Sequence, residues 1–382
     1  MSTIKEKKVV LGSYTAGSGL KAAFAMKPQE VIQLLIDSGL RGRGGAGFPT
    51  GLKWRFAANQ KEPVKTVICN ADEGEPGTFK DRVLLTEHIE KVLEGMIIAG
   101  YATGAAEGFI YLRGEYAFML PVLESEIEKF NSKKLPFSFK ISVRMGAGAY
   151  VCGEEFALIE SMNGNRGEPR NKPPFPVQKG YLEKPTLVNN VETFATVSHI
   201  LVNGADWFAQ LGTDKSKGTK LFSISGDVQR PGVYEFELGV RLSDILEFVG
   251  AENTKSVQVG GFSGVNVAKD QFDRPIAFGE LPPGGSIIVF NKDRNMLKVL
   301  KNILEFFEEE SCGQCTPCRE GSYQLLKGLE MIEKGEKSVR YYKELVTLCE
   351  VMKDSAKCGL GQSVPNPFLS IIENFKDEIL YR

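Results

Sequence analysis

Apolar residues recur along this chain with two periods, one helical and one typical of strands. Residues 27–38 have apolar side chains at helical spacing after Pro28, and Gly39 ends the pattern. A β-branched run at residues 64–68 predicts a buried strand. Three more elements are predicted: a helix at 84–100, a strand at 108–112 and a helix at 117–131. Helices that alternate with strands predict an α/β layer fold for this part.

The pattern changes near residue 220, where short strands and glycine turns replace the long helices. Strands are predicted at 221–225, 232–236 and 286–290, around one helix at 242–249. This is typical of a small β-rich α+β domain. Long helical patterns return from Met296, so a helical bundle is expected at the end. We expect three units, with boundaries at residues 1–215, 216–292 and 293–382.

Composition excludes several classes of function. The 382 residues are 42% hydrophobic and 25% charged, which is typical of a well-packed globular protein. Lys plus Arg (47) nearly cancels Asp plus Glu (48), so no basic field attracts nucleic acid or an anionic membrane. No apolar run approaches the roughly 20 residues of a membrane span, and the first residues have no apolar signal core. A soluble, cytoplasmic protein is expected.

Cysteine spacing carries the most specific chemistry. Cys312, Cys315 and Cys318 form a C-x2-C-x2-C motif, and Cys358 follows far downstream. A [4Fe-4S] cluster needs one thiolate per iron, and three close thiolates with one distant thiolate meet that need. Zinc is the main alternative, although zinc sites usually have two separated C-x2-C pairs. A disulfide framework fits poorly, because seven cysteines are an odd number at low density.

The remaining cysteines have simpler interpretations. Cys69 and Cys152 lie in apolar surroundings and are expected in the core. Cys349 lies in a helical pattern and is an alternative to Cys358 as the fourth ligand. We prefer Cys358, because the glycines after it allow the backbone to approach an inorganic core closely.

A glycine-dense loop at residues 42–54 follows the first helix. It contains Gly42-x-Gly44-x-x-Gly47, which matches the dinucleotide fingerprint, but a helix rather than a strand precedes it. The glycines then serve close backbone approach to a phosphate or a flat ring. Arg41, Arg43 and Lys53 are expected to supply positive charge. A turn-rich connector without a ligand is the alternative.

An acidic loop follows the first predicted strand. Asp72, Glu73 and Glu75 lie where open α/β sheets place their ligand crevice, and Glu154 and Glu155 repeat the theme. Carboxylates there can accept hydrogen bonds from ribose or carboxamide groups and disfavour an extra phosphate. They could instead bind a metal ion. However, the only histidines, His88 and His199, are far from these loops in sequence, and we expect both to be structural.

No Ser/His/Asp or Cys/His arrangement stands out, so cofactors must carry the chemistry. A cluster passes single electrons, whereas a nicotinamide gives two as hydride. A flavin connects the two.

These segments together resemble a known family, the NADH-binding flavoprotein subunit of respiratory complex I (the 51-kDa type). Relatives of that family occur in NAD-linked hydrogenases and formate dehydrogenases. The matching segments are residues 39–54, 70–77, 148–155, 172–176 and 189–193 and the cysteine motif. The resemblance implies a Rossmann-like FMN and NADH domain, a ubiquitin-like β-grasp domain of the soluble-ligand-binding type, and a C-terminal helical bundle with one [4Fe-4S] cluster.

The resemblance also implies site residues. The FMN set is Gly42, Gly44, Gly45, Lys53, Asn70, Asp72, Gly153, Glu154, Asn189, Asn190 and Thr193, to which we add Arg43, Glu73 and Tyr150. The NADH set is Phe48, Phe56, Phe175, Glu75 and Glu155, with the two glutamates as the catalytic candidates. The cluster ligands would be Cys312, Cys315, Cys318 and Cys358.

The implied function is an NADH:acceptor oxidoreductase subunit that uses FMN, NAD(H) and a [4Fe-4S] cluster. A small [2Fe-2S] thioredoxin-like subunit and further electron-transfer or catalytic subunits are the expected partners, in a soluble or peripheral position. An alternative within the family is a flavin that splits its two electrons between acceptors of different potential. An alternative of another class is a non-catalytic scaffold whose cluster is structural.

Overall fold

The structure is a computed structural model and describes residues 4–381. Its first part contains a parallel sheet and nine α-helices among the described residues. The strands are β1 (Thr66–Ala71), β2 (Glu107–Leu112), β3 (Lys140–Met145) and β4 (Thr186–Asn190). The helices are α1 (Ser18–Phe24), α2 (Pro28–Asp37), α3 (Thr50–Ala58), α4 (Lys80–Glu87), α5 (Ile89–Thr103), α6 (Leu120–Asn131), α7 (Glu155–Met162), α8 (Val191–Asn203) and α9 (Ala205–Ala209).

The four strands pair in the order β3-β2-β1-β4, all parallel. Alternate side chains of β1 enter two different core clusters. Val67 and Cys69 pack with α5 and α8 on one face. Ile68 packs on the other face with α7 and the C-terminal helices. Both faces are therefore covered, which explains why β1 is a continuous apolar run.

A second, mixed sheet follows, with strands in the order β6-β5-β9-β7-β8. Its elements are β5 (Thr219–Gly226), β6 (Gly232–Glu237), α10 (Leu242–Val249), β7 (Thr254–Val259), β8 (Val265–Ala268) and β9 (Ser286–Asn291). The buried side chains of α10 and the strands form a separate core cluster. This is the small α+β unit that the sequence predicts.

The last part is helical. It contains α11 (Met296–Glu310), α12 (Thr316–Glu333), α13 (Tyr342–Ser355), α14 (Gly359–Ser363), α15 (Pro365–Asn374) and α16 (Lys376–Ile379). Leu300 and Phe307 of α11 share a core cluster with Phe156 of α7, so this bundle packs on the first sheet's second face. Within residues 4–381, no helix is long and apolar enough to cross a membrane.

The predicted fold class is confirmed, with differences in detail. Strands β3, β4, β7 and β8 were not predicted. β3 is an exposed edge strand with alternating polar residues, and β4 is short and polar at its end, so neither carries a strong apolar pattern. The expected glycine loop at 42–54 ends early because α3 begins at Thr50. The expected helix at 84–100 is two helices, separated at His88.

Buried charges join the first part to the second sheet. Glu192 of α8 accepts hydrogen bonds from the Lys220 ammonium (2.5 Å) and the Leu221 amide (2.9 Å) of β5, and Lys80 of α4 lies 3.0 Å from it. Lys80 also contacts Asp81 (2.6 Å). Burial alone would raise the pKa of Glu192, but Lys220, Lys80 and Arg43 hold that pKa below its ordinary value. The carboxylate is therefore charged and holds α4, α8 and β5 together.

Glu192→Gln should destabilise the protein strongly. The change leaves Lys80 and Lys220 buried without their shared counter-charge, and breaking a buried pair costs about 3–5 kcal/mol. Urea unfolding followed by circular dichroism measures the loss. Glu126→Gln is the matched control, because its partner Lys129 is exposed and such pairs contribute about 0–1 kcal/mol. Equal effects of the two changes would contradict the importance of this cluster.

Candidate functional site

A cleft of about 490 Å³ lies at the carboxyl ends of β1 and β4, and all three parts of the chain contribute to it. The first part contributes the glycine loop, the acidic loop and residues near Tyr150. The second part contributes two glycine-rich loops, and the bundle contributes the start of α14. The lining residues are Arg43, Gly44, Gly45, Ala46, Asn70, Asp72, Glu73, Gly74, Glu75, Thr78, Lys80, Asp81, Tyr150, Val151, Gly153, Glu154, Asn190, Gly260, Ser263, Gly264, Pro282, Pro283, Gly284, Gly285, Gly359, Leu360 and Ser363.

The glycine loop approaches the cleft with bare backbone. Gly45 has a φ of +121°, which a residue with a side chain rarely adopts, and a Cβ there would meet open space. Gly47 has a φ of +66°, and a Cβ there would lie 2.2 Å from the Phe278 ring. The loop therefore packs against Phe278 at Gly47, whereas its backbone at Gly45 is open to close approach by a ligand.

The structure shows how the two arginines of the glycine loop are held. Arg43 lines the cleft, but its guanidinium is buried and donates to the Arg41 carbonyl (3.1 Å) and the Lys217 carbonyl (2.8 Å). Arg41 donates from Nε to the Gly47 carbonyl (2.7 Å) and stacks 3.9 Å from the Phe278 ring. Both arginines therefore brace the glycine loop.

Lys53 and Glu155 form an ion pair outside the residues that line the cleft. Lys53 also donates to the Val188 carbonyl (2.9 Å). The two residues were expected on different ligands, FMN for Lys53 and NADH for Glu155. Their contact means that the charge of each is partly balanced by the other.

Asp72 has an unmet hydrogen-bonding capacity. Its amide donates to the Asn70 side chain (3.0 Å), but Oδ2 is buried and has no hydrogen-bond partner among residues 4–381. Burial raises the pKa of Asp72 to about 7, while Arg113 lowers it and Glu115 and Glu310 raise it. A buried carboxylate oxygen without a donor marks a place where a ligand donor fits.

Glu73 has a structural task that the sequence did not reveal. Its oxygens accept from the Asp81 amide (2.8 Å) and the Arg82 amide (3.1 Å) at the start of α4, and from the Tyr116 hydroxyl (2.9 Å). Burial raises its pKa to about 7. Glu73 therefore caps α4 at the cleft wall, in addition to lining the cleft as a predicted cofactor residue.

Glu75 faces the second part of the chain. It accepts from the Tyr150 hydroxyl (2.6 Å), the Ser263 hydroxyl (2.8 Å) and the Ser263 amide (2.9 Å). Burial raises its pKa, and the bonds from Tyr150 and Ser263 oppose that rise. Tyr150 and Glu75 both line the cleft.

Several other predicted residues serve local structure. Asn189 accepts from the Trp54 indole (2.8 Å), and Thr193 accepts from the Arg43 amide (2.9 Å). Glu154 caps α7 through the Phe156 amide (2.8 Å) and pairs with Lys172 (2.8 Å). Asn189 and Thr193 do not line the cleft, and neither does Gly42, whereas Glu154 does.

The three predicted aromatic residues are about half exposed and lie outside the cleft lining: Phe48 (47%), Phe56 (46%) and Phe175 (50%). The Phe48 and Phe56 rings contact each other with centroids 6.5 Å apart. Large exposed rings of this kind are available to stack on a flat ligand.

Sequence reasoning missed the buried polar residues of the cleft floor. Lys80 and Asp81 line the cleft, and Asn190 joins them by accepting from Lys80 (3.2 Å) and donating to Asp81 (2.7 Å). Lys80 is a second buried cation beside the cleft, and Asp81 and Glu192 balance its charge. It follows the acidic loop directly, in a stretch that carries no motif, so its sequence offers no sign of this role.

The four predicted cluster cysteines are neighbours in the bundle. Cys312 and Cys315 lie between α11 and α12, and Cys318 lies in the first turn of α12. A Cβ added at Gly361 would lie 3.2 Å from the Cys318 sulfur. Burial raises the pKa of Cys318, and the charges of Cys315 and Cys312 raise it further. Burial also raises the pKa of Cys358 to about 11, although the Leu360 and Gly361 amides oppose this. Ionising thiols with such raised pKa values costs free energy, which metal cations bound beside the sulfurs would offset.

Cys349 is placed differently. It is fully buried in α13, burial raises its pKa to about 12, and the charged groups that act on it are Lys353 and Glu350, not another cysteine. Cys69 and Cys152 are also buried, as expected. Cys358 is therefore better placed than Cys349 to complete the set of four.

The spread of the thiols also bears on zinc. Among residues 4–381, no three His, Cys, Asp or Glu side chains form a group that could hold one metal ion. A zinc ion needs four ligands within about 2.0–2.3 Å of a single point, whereas each thiolate of a cubane binds its own iron. The arrangement therefore favours the cluster.

The two histidines lie in helical surroundings, with His199 buried in α8 and His88 beside Lys91 (3.2 Å).

The residues present fit both implied groups. The open glycine backbone and the unpartnered Asp72 oxygen suit a flavin nucleotide. The four thiols suit a cubane cluster. Leu360, two residues after Cys358, lines the same cleft as Gly45 and Asp72.

Comparison with known proteins agrees with this geometry. A family description, the Nuo51 FMN-binding domain, matches residues 35–199. The iron-sulfur binding region of NADH-ubiquinone oxidoreductase-F matches residues 298–382, and the SLBB domain matches residues 221–263.

Similar proteins cover most of this chain. The NAD-reducing hydrogenase HoxS subunit alpha of Cupriavidus necator is 48% identical over 94% of the chain and 61% of its own length. The NADP-reducing hydrogenase subunit HndC of Solidesulfovibrio fructosivorans is 45% identical over 94% of the chain and 77% of its length. An NADH-quinone oxidoreductase subunit of Rhizobium meliloti is 38% identical over 97% of the chain and 94% of its length.

A solved structure has the same fold. The crystal structure of an NAD+-reducing [NiFe]-hydrogenase in the H2-reduced state matches with a TM-score of 0.93 and 44% identity. The match covers 97% of this chain and 65% of that one. The chain thus spans less than two thirds of the length of these two NAD-reducing hydrogenase chains, in sequence and in structure.

Cys358→Ala should abolish cluster binding, whereas Cys349→Ala should retain it. The first change removes a thiol beside Cys318, and the second removes one that contacts no other cysteine. Iron and sulfide content after anaerobic reconstitution measures the result. An intact cubane in Cys358→Ala, with loss in Cys349→Ala, would show that the fourth ligand is Cys349.

Asp72→Asn should stabilise the flavin-free protein in a pH-dependent way. The pKa of Asp72 is raised from 3.8 to about 7 in the folded state, so the folded protein binds this proton more tightly than the unfolded chain. The contribution of Asp72 to the free energy of unfolding therefore falls as the pH rises from 3.8 to about 7. The variant's gain in unfolding free energy should be larger at about pH 8 than at about pH 5.

Asp214→Asn is the control, because Asp214 is fully exposed. Urea unfolding at both pH values measures the effect. A gain that is the same at both would show that Asp72 titrates normally in the folded protein.

Proposed function

The chain belongs to the Nuo51 family of FMN and iron-sulfur flavoprotein subunits, and from that premise we propose that it oxidises NADH and delivers electrons to a partner. One observation carries the proposal. A single cleft is lined both by the glycine and acidic loops and by Gly359 and Leu360, which directly follow Cys358, the proposed fourth cluster ligand. A flavin site and a cluster ligand therefore adjoin.

When bound, FMN accepts two electrons from NADH as a hydride and gives them up singly to the [4Fe-4S] cluster. The chain's own residues bind and orient. Gly44 and Gly45 offer backbone, and Asp72 offers a free acceptor. No side chain is required as a general base, because proximity is the main contribution of such a site.

The burial of these groups also keeps water from the reacting atoms. Glu75 and Tyr150 hold each other at the cleft wall, and Val151 and Leu360 add apolar surface. Electrostatic interactions are stronger in such a poorly solvated site than in water. We propose Glu75 and Glu155 as the residues that meet the nicotinamide nucleotide, with Phe48, Phe56 and Phe175 available to stack on it.

We propose a preference for NADH over NADPH. Carboxylates at the site disfavour an additional phosphate. Lys53 balances part of the charge of Glu155, which weakens that discrimination. Both NAD-reducing and NADP-reducing hydrogenases are among the relatives. We propose that the balance of charge between Lys53 and Glu155 sets the preference between NADH and NADPH.

We propose that the chain acts as one subunit of a larger assembly. The similar proteins are named as subunits of hydrogenases and quinone oxidoreductases. Cys312 and Cys315 are only half-buried, so a cluster there lies near the surface, where electrons can leave. A small [2Fe-2S] thioredoxin-like subunit is the proposed further acceptor.

Protein reconstituted with FMN, iron and sulfide should bleach at about 450 nm when NADH is added anaerobically, because reduced flavin loses that absorbance. Glu75→Gln should slow the bleaching, since it removes a charge from the nucleotide site. Glu126→Gln, on an exposed helix surface, should bleach as the parent does. Unchanged flavin absorbance in the parent would favour the scaffold alternative.

A further inference from the structure

The second sheet's part of the chain holds the Glu75 carboxylate directly. Ser263 donates to it twice, from its amide to Oε1 (2.9 Å) and from its hydroxyl to Oε2 (2.8 Å). Tyr150 donates a third bond to Oε2 (2.6 Å). Bonds to a carboxylate are stronger than bonds between neutral groups and fix its orientation.

The loop that carries Ser263 is itself anchored. The Ser263 carbonyl accepts a hydrogen bond from the Asn366 side chain of α15 (3.0 Å), so the loop is attached to the helical bundle. The Gly261 carbonyl accepts from Gln258 (2.9 Å) and from the Gly264 amide (3.1 Å). A Cβ at Gly261 would lie 2.4 Å from the Glu75 side chain, so the loop packs tightly against that glutamate.

The Glu75 carboxylate is well supplied with donors. Ser263 and Tyr150 donate three hydrogen bonds to it, and the Phe262 amide also acts to lower its pKa. Glu75 and Ser263 both line the cleft, so a ligand there can approach the carboxylate that Ser263 orients. The nicotinamide nucleotides carry suitable donors in their carboxamide and ribose hydroxyl groups.

We propose that Ser263 is a positioning residue for the nicotinamide nucleotide, which it serves by fixing the orientation of the Glu75 carboxylate at the cleft wall. The inference rests on the proposed function, because it takes Glu75 to be a nucleotide contact. It assigns the β-grasp part of the chain a task in the NADH site, in addition to its own fold. Neither the motifs of the first part nor the cysteine motif contains this residue.

The test compares Ser263→Ala, Ser263→Thr and a control, Ser243→Ala. Ser243 lies in the same sheet domain and donates to Asp273 (2.9 Å) on an exposed surface. Each protein is loaded with FMN and cluster, and NAD+ binding to the oxidised protein is measured by calorimetry. NADH turnover gives KM and kcat separately. FMN affinity is measured on the flavin-free protein, from the change in flavin fluorescence as FMN is added.

Ser263→Ala should raise the Kd for NAD+ and the KM for NADH about tenfold, the usual value of one hydrogen bond to a charged group. FMN affinity should stay unchanged, Ser263→Thr should restore binding because it keeps the hydroxyl, and Ser243→Ala should match the parent. Asn366→Ala, which releases the loop's anchor, should weaken NAD+ binding in the same direction without removing the hydroxyl.

The outcomes separate the two proposals. A parent protein that binds FMN but is not reduced by NADH would overturn the proposed function itself. A parent that is reduced normally, with Ser263→Ala binding NAD+ as the parent does, would overturn only the role of Ser263. Equal losses of FMN and NAD+ binding in Ser263→Ala, or no rescue by Ser263→Thr, would also overturn it, because the serine would then support the fold in general.

Discussion

The buried ion cluster of Lys80, Asp81, Glu192 and Lys220 is the interaction on which the cleft depends. It joins α4, α8 and β5, so the parallel sheet and the second sheet meet at fixed positions. Charges removed from water are costly unless they are paired, and here each has a partner within 3.0 Å. Because this cluster sets the position of the second sheet, it also sets where Ser263 meets Glu75. The positions of the cleft walls therefore depend on this buried ion cluster, which is disrupted when the Glu192 carboxylate is removed.

Against this paired background, the unpaired groups mark the chemistry. Asp72 keeps a buried oxygen without a donor among the described residues, and its pKa is raised accordingly. Cys318 is buried and Cys358 is half-buried, and the pKa values of both thiols are raised, so they ionise readily only beside cations. These costs stay in the chain because ligands offset them. Asp72 lines the cleft, and so does Leu360, two residues after Cys358, which is the arrangement that a relay between a flavin and a cluster requires.

The sequence predicted these features unevenly, and the reason is the range of the interactions involved. Local periodicity was enough for α2, β1 and the C-terminal helices, and cysteine spacing was enough for the cluster. Short polar strands such as β4 carry no such pattern. The glycine and acidic motifs located the cleft, but they did not show which residue pairs with which. Arg43 binds the carbonyl of Lys217, and Glu75 binds Ser263, across separations of 174 and 188 residues. Partners that far apart are chosen by the tertiary fold, so the buried guanidinium of Arg43 and the capping role of Glu73 emerged only from the structure.

We infer above all that one cleft places a flavin beside the cluster, so that electrons from NADH reach the cluster through it. Electron paramagnetic resonance of cluster-loaded protein tests this most directly, with NADH added anaerobically in the presence and absence of FMN. We expect the spectrum of the reduced cluster to develop only when FMN is bound. Reduction of the cluster to the same extent without FMN, or a fully reduced flavin beside a cluster that stays oxidised, would contradict the inference.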